Sequence, residues 1–146
     1  MTPGARVAAA IAVLDQIQEG AAAEQALTAW ARGSRFAGSK DRAAVRDHVF
    51  DVLRAKRSLG DGSGRSLMQH LALREGWDVD ALFSGDGHAP APLSTAELAT
   101  LDTPLNLHAA ARCDVPDWLW PAFETNFDED AIIEGEALTE RPPLDI

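Results

Sequence analysis

A single cysteine among 146 residues cannot close an internal disulfide. No cleavable secretion signal is evident, so Cys113 points to a reducing, cytoplasmic setting. Long apolar runs are missing as well. The most apolar early stretch, residues 7–14, is bracketed by Arg6 and Asp15 and is far too short to span a bilayer. No segment alternates apolar and polar residues as a half-buried strand would, which makes the expected fold class all-α. Without a strand there is no strand–glycine–helix fingerprint for a dinucleotide. The glycines at 60, 62 and 64 surround Asp61 and lack the Gly-Lys-Ser/Thr ending of a phosphate loop, so they read as a turn. His48, His70, His88 and His108 are scattered, and none stands at metal-ligand spacing from Cys113 or a carboxylate. Cys113 itself reads as a small buried hydrophobe. These gaps leave no catalytic, metal or cofactor constellation in the chain, and point to a helical binding or scaffold module.

Positive charge is scarce but concentrated. The chain holds 13 Lys and Arg against 23 Asp and Glu, a net charge of −10. Residues 1–65 carry ten basic and seven acidic side chains, whereas residues 66–146 carry three and sixteen. Eight of the basic residues (Arg32, Arg35, Lys40, Arg42, Arg46, Arg54, Lys56 and Arg57) fall in one 26-residue window. Such asymmetry is the footprint of a surface that faces a polyanion. The same charges also fit a solvated helix face laced with local Asp–Arg pairs.

Most of that window belongs to one predicted helix, residues 39–57. Val45, Val49, Val52 and Leu53 recur at helical spacing and form its apolar stripe. Ser39 is the expected N-cap, and Asp41 lies where the helix dipole favours an anion. Arg42 and Arg46 rise on the same side of the helix, away from the stripe. Asp51 can tether Arg54, and a carboxylate can tie Arg42. Arg46, Lys56 and Arg57 are then the expected free cations.

Around this helix the punctuation is clear. Thr2 and Pro3 open a first helix, with Val7, Ala10, Ile11, Leu14 and Ile17 inward and Gly20 at its end. A second spans residues 22–31, with Ala23, Leu27 and Trp30 facing in. Trp30 and Phe36 are expected as core anchors rather than base-stacking platforms. A helix over 65–74 places Leu67, Met68 and Leu71 inward and stops at Gly76. Residues 77–83 make a short helix or turn, and 84–92 are irregular. Ser94 and Glu97 form a capping box for a helix that ends near Thr103-Pro104. Residues 105–113 carry no clear signal. Pro116 suits the first turn of a new helix with Trp118, Leu119, Ala122 and Phe123 on its apolar face. Asp128-Glu129-Asp130 opens a last helix, 131–138, closed by Arg141-Pro142-Pro143.

Several strings, in this order, resemble the N-terminal region of the RsmB/NOP family of rRNA (cytosine-C5) methyltransferases. They are residues 6–14 (Arg-Val-Ala-Ala-Ala-Ile-Ala-Val-Leu), Asp41-Arg42 followed by Val49-Phe50-Asp51-Val52-Leu53-Arg54, Asp80-Ala81-Leu82-Phe83, His88-Ala89-Pro90-Ala91-Pro92-Leu93, and Val115-Pro116-Asp117-Trp118-Leu119-Trp120. The resemblance implies a NusB-like RNA-binding helical bundle over 1–104. It implies that 105–146 is the helical start of a linker to a methyltransferase domain that lies outside this chain, so that the chain is an excised fragment or a truncated homologue. In the family that domain binds S-adenosylmethionine and works through cysteines in Thr-Cys and Pro-Cys motifs. Cys113, in Arg112-Cys113-Asp114, matches neither and takes neither role.

The expected function is therefore to hold rRNA by shape and phosphate while the catalytic domain extracts a base. Arg42, Arg46, Arg54, Lys56 and Arg57 are the expected phosphate contacts, helped by Arg32, Arg35 and Lys40. The alternative is a protein-interaction adaptor of the same fold. Its acidic half would suit a basic ribosomal protein or the chain's own methyltransferase domain.

Overall fold

The computed structural model describes residues 1–139. The helices are α1 (Pro3–Gln18), α2 (Ala23–Gly33), α3 (Ser39–Ala55), α4 (Gly64–Glu75), α5 (Val79–Leu82), α6 (Thr95–Asp102), α7 (Ala109–Arg112), α8 (Trp120–Phe127) and α9 (Ala131–Thr139), with one 3-10 turn over Asp128–Asp130. Among the described residues there is no strand, and the fold is all-α as expected.

The first helix is the hub: α2, α3, α4 and α5 all pack on it. Thr2 caps it, its Oγ1 accepting the Ala5 N–H at 3.1 Å, and Pro3 occupies the first turn. Because neighbours surround it, its buried set is Val7, Ala10, Val13 and Leu14, while Ile11 and Ile17 lie at the edge of the core. Close packing against α4 is possible because residue 64 is glycine. A Cβ there would stand 2.6 Å from Asp15 Oδ1 and 2.9 Å from the Ile11 carbonyl oxygen. The Gly64 N–H instead donates to Asp15 Oδ1 at 3.0 Å. Ser63, not foreseen as a cap, closes the first turn of α4, and Gly76 ends it at φ +73°.

In α3, Val45, Val49 and Val52 are fully buried. Leu53 is only partly buried, because at 100° per residue it lies about 80° round the helix from Val45. The cap is Gly38 rather than Ser39, which is the first helical residue. Asp41 causes this: its carboxylate accepts the Gly38 N–H at 3.0 Å and is held from the other side by Arg6 Nη2 at 2.8 Å.

Leu67, Met68, Leu71 and Phe83 complete the main core, with Trp30, Leu82 and Leu93 packed on its edge. The Ser94–Glu97 capping box forms as expected, at 3.1 and 2.9 Å, and residues 84–92 carry no helix. Phe36, expected in the core, is 72% exposed.

The last third departs further from its sequence pattern. Residues 105–113 contain α7, and the helix expected from Pro116 starts only at Trp120. Trp118 consequently points outward at 80% exposure, while Trp120 and Phe123 stack with ring centroids 5.8 Å apart. The delay follows from how the preceding chain is docked. Asp114, at φ +54°, accepts the Ser58 N–H at 2.8 Å, and Arg57 holds the Val115 carbonyl. Ala110, Ala111, Cys113, Val115 and Ala131 are buried outside the main core. Gly135 is what lets α9 lie on Cys113, since a Cβ there would be 2.7 Å from the sulfur. The expected stop at Arg141-Pro142-Pro143 lies outside the described residues.

Candidate nucleic-acid interface

The eight candidate cations divide into three groups. Arg46, Arg54, Lys56 and Arg57 on α3 and its exit are already paired. Arg46 Nη1 donates to Glu24 Oε2 of α2 at 3.0 Å, and its guanidinium lies 5.0 Å from the centre of the Phe50 ring. That pairing holds the Glu24 carboxyl below its ordinary range. Arg54 pairs with Asp51, as the i, i+3 spacing predicts. Lys56 Nζ is 3.3 Å from Asp61 Oδ1. Arg57 is 2.7 Å from Asp117 Oδ1 and 3.0 Å from His108 Nε2, besides holding the Val115 carbonyl. Arg46, Lys56 and Arg57 are thus not the free cations that the helix pattern suggests. Their partners come from α2, the 60–64 turn and the 114–117 segment, which helical spacing cannot reveal.

Arg42 is structural in a different way. Its Nε donates to the Ala37 carbonyl at 3.2 Å and its Nη2 reaches the Ala31 carbonyl at 3.5 Å. Among the described residues no carboxylate ties it. It braces the connector between α2 and α3 from below.

Arg32, Arg35 and Lys40 remain. All three are exposed, and none has a hydrogen-bond or ion-pair partner among the described residues. Every other described Lys or Arg is bonded, including Arg6 to Asp41, Arg65 to Glu97, Arg74 to Ser58 and Arg112 to Glu136. The three free cations sit within nine residues, at the end of α2, in the connector and in the first turn of α3. The nearest carboxylate in sequence, Asp41, is buried and taken by Arg6, which keeps it ionised and its pKa low.

The connector itself is rigidly set. The Ser34 N–H donates to Ala31 O at 3.3 Å and the Ala37 N–H to Ser34 O at 3.0 Å. Ser34 and Ala37 are buried at 8% and 4% exposure. Arg35 and Phe36 are therefore the central residues of a β-turn whose two ends are anchored, and both project outward.

Two other features stand apart from this surface. A groove of about 370 Å³ runs between α1, α3 and α5, lined in part by Arg6, Ala44, His48 and Trp77. The His48 and Trp77 rings meet at 5.3 Å, and burial holds the His48 pKa down. The carboxylate of Asp78, also in the groove, caps α5 through the Ala81 N–H at 3.1 Å. Cys113 is buried and its thiol pKa is raised by burial, as suits a packing residue rather than a nucleophile. Among the described residues no His, Cys, Asp and Glu cluster could hold a metal ion, and no helix is long and apolar enough to cross a membrane.

The fold and the turn define an all-α helical bundle with one exposed cationic corner. Comparison with family models, with curated proteins and with solved structures finds no match to this chain.

Proposed function

We propose that the chain is the N-terminal, NusB-like RNA-binding module of an S-adenosylmethionine-dependent rRNA (cytosine-C5) methyltransferase. Its role is to position rRNA for a catalytic domain that lies outside these residues. The observation that carries the RNA part is the cluster of Arg32, Arg35 and Lys40, the three unpaired cations among the described residues, on one braced corner. Phosphate oxygens would supply the partners they lack. Arg42 braces the connector, Arg46 and Arg57 link α3 and its exit to other segments, and Arg54 and Lys56 are taken by the local carboxylates of Asp51 and Asp61, so these five are bonded within the protein. The cofactor belongs to the catalytic domain, and so does methyl transfer. The methyltransferase assignment rests on the sequence resemblance alone.

Triple reversal of Arg32, Arg35 and Lys40 to Glu tests the interface. With a net charge of −10, affinity for structured rRNA is expected in the ~10⁻⁴–10⁻⁶ M range and to fall with salt. The reversal should abolish binding without lowering the melting temperature. Unchanged affinity and salt slope would remove RNA from this corner. Incubation of the chain with labelled S-adenosylmethionine and rRNA should leave the RNA unlabelled.

A second reading, a protein-interaction adaptor, is favoured by the last helices, α8 and α9, with the turns before and between them. Trp118, Phe127, Ile133 and Leu138 are exposed there, and Glu124, Asp128, Glu129 and Asp130 line a shallow acidic hollow. Such a surface suits a basic protein or the methyltransferase domain itself. Binding of a basic ribosomal protein with no saturable RNA binding at low or high salt would favour it.

A further inference from the structure

We infer that Phe36 is a stacking platform for an unpaired base, so that this corner recognises single-stranded or looped RNA rather than duplex. The inference deepens the RNA-binding reading and rests on it.

Burying a phenylalanine side chain is worth about 1.5–3 kcal/mol. Both neighbours in the turn, Ser34 and Ala37, are buried, yet Phe36 is 72% exposed. Backbone geometry enforces this. Phe36 is a central residue of a β-turn closed by the 3.0 Å bond from the Ala37 N–H to Ser34 O. Arg42, bonded to the carbonyls of Ala31 and Ala37, fixes both ends of the same segment. The ring is therefore presented on a rigid mount, and ordering it on binding costs little conformational entropy.

A lone exposed apolar residue needs no explanation by itself. This one is flanked in sequence by Arg32, Arg35 and Lys40, all exposed and without a partner among the described residues. An aromatic face beside cations that track a backbone is the arrangement by which proteins hold single-stranded nucleic acid. The base stacks on the ring while the flanking phosphates meet the cations. A-form duplex offers no free base face, since its bases are stacked on one another. A single projecting ring therefore gains nothing from duplex, and the cations alone would hold it. An acidic protein segment could meet the same cations, but it would make no specific use of an aromatic face.

The test uses the full chain at low salt and three labelled probes: a 12-nucleotide oligouridine, an RNA duplex of the same length, and an oligoglutamate peptide. Phe36→Ala should weaken oligouridine binding about tenfold or more, leave duplex binding within about twofold, and keep the salt slope of the unmodified chain. Phe36→Trp should restore or strengthen binding. Phe36 is exposed, so neither variant should alter the thermal melt, and the melt checks this. Equal loss for oligouridine and duplex, or no loss for either, overturns the stacking inference. If duplex binding still responds to reversal of Arg32, Arg35 and Lys40, the RNA reading stands without it. Failure to bind either RNA sinks both. Oligoglutamate binding as tight as oligouridine binding, and equally sensitive to Phe36→Ala, would reassign the corner to an acidic protein partner.

Discussion

The Arg57 guanidinium lies 2.7 Å from the Asp117 carboxylate, 60 positions further along the chain. Together with the Val115 carbonyl, it ties the exit of α3 to the segment that precedes α8. Ser58 reinforces the tie, donating its N–H to Asp114 while its Oγ accepts from Arg74 at 3.0 Å. An arginine that the helix pattern offers to RNA is thus an internal fastener.

Replacing Arg57 by Ala should loosen the 108–127 region and leave the main bundle in place. Hydrogen exchange is the direct measurement. Amides of α7 and α8 should exchange faster, while those of α1, α3 and α4 keep their protection. Uniform loss of protection would mean that the two parts unfold as one unit.

Reversing Arg46 and Arg57 to Glu should harm the fold rather than RNA binding. Both would face carboxylates that now attract them, Glu24 and Asp117. The double variant is expected to melt earlier than the triple reversal at Arg32, Arg35 and Lys40. The opposite ranking by thermal melt would return Arg46 and Arg57 to the candidate interface.

Val49→Ala removes two methyl groups from a site with no solvent exposure, and should cost about 2–3 kcal/mol through lost burial and a residual cavity. Leu53→Ala, at the edge of the core, should cost about 1–2 kcal/mol despite the larger truncation. Denaturant melts of the two variants decide the order.

Glu97 joins α6 to α4. Its carboxylate accepts from Arg65 Nε at 2.8 Å, from the Ser94 N–H at 2.9 Å and from Gln69. The Arg65 bond first, then those of Ser94 and Gln69, hold its pKa at about 2, against an ordinary 4.5. A folded-state pKa below the unfolded one contributes stability that is present above about pH 4.5 and lost as pH falls towards 2. With the carboxylate partly open to water, the contribution is about 1–2 kcal/mol. Glu97→Gln should therefore lower stability at pH 7 and flatten its fall between pH 4.5 and 2. Equal slopes in wild type and variant would assign that acid sensitivity to other carboxylates.

Gly135→Ala should destabilise α9, because its new Cβ would lie 2.7 Å from Cys113 Cβ and Sγ. Cys113→Ala relieves part of the clash, so the double variant should recover stability relative to Gly135→Ala alone. Thermal melts of all three, read as a cycle, check the coupling.

Local signals carried well into the structure. Thr2-Pro3, the Ser94–Glu97 box, Gly76 and the Asp128–Asp130 run each mark a helix boundary through bonds or dipoles spanning at most a turn. The buried stripe of α3 was equally legible, because period 3.6 identifies Val45, Val49 and Val52 without knowledge of their neighbours. Where a helix end depended on a distant group, the reading slipped. Gly38 replaced Ser39 as a cap because Arg6 positions Asp41, and α8 began late because Arg57 and Ser58 dock residues 114–117.

By itself, then, the sequence determined the helical class, most helix boundaries, the central buried positions of α1, α3 and α4 and the clustering of basic residues between 32 and 57, all consequences of spacing along one chain. Only the tertiary structure decided which of those cations are free and which way Phe36 points. Ion pairs such as Arg46–Glu24 and Arg57–Asp117 join residues 22 and 60 positions apart, so they exist only once the helices have packed. Bonds consumed the cations from Arg42 to Arg57 and left Arg32, Arg35 and Lys40 around the α2–α3 turn; Arg35 and Phe36 face outward because a turn pinned at both buried ends has nowhere else to put its central side chains.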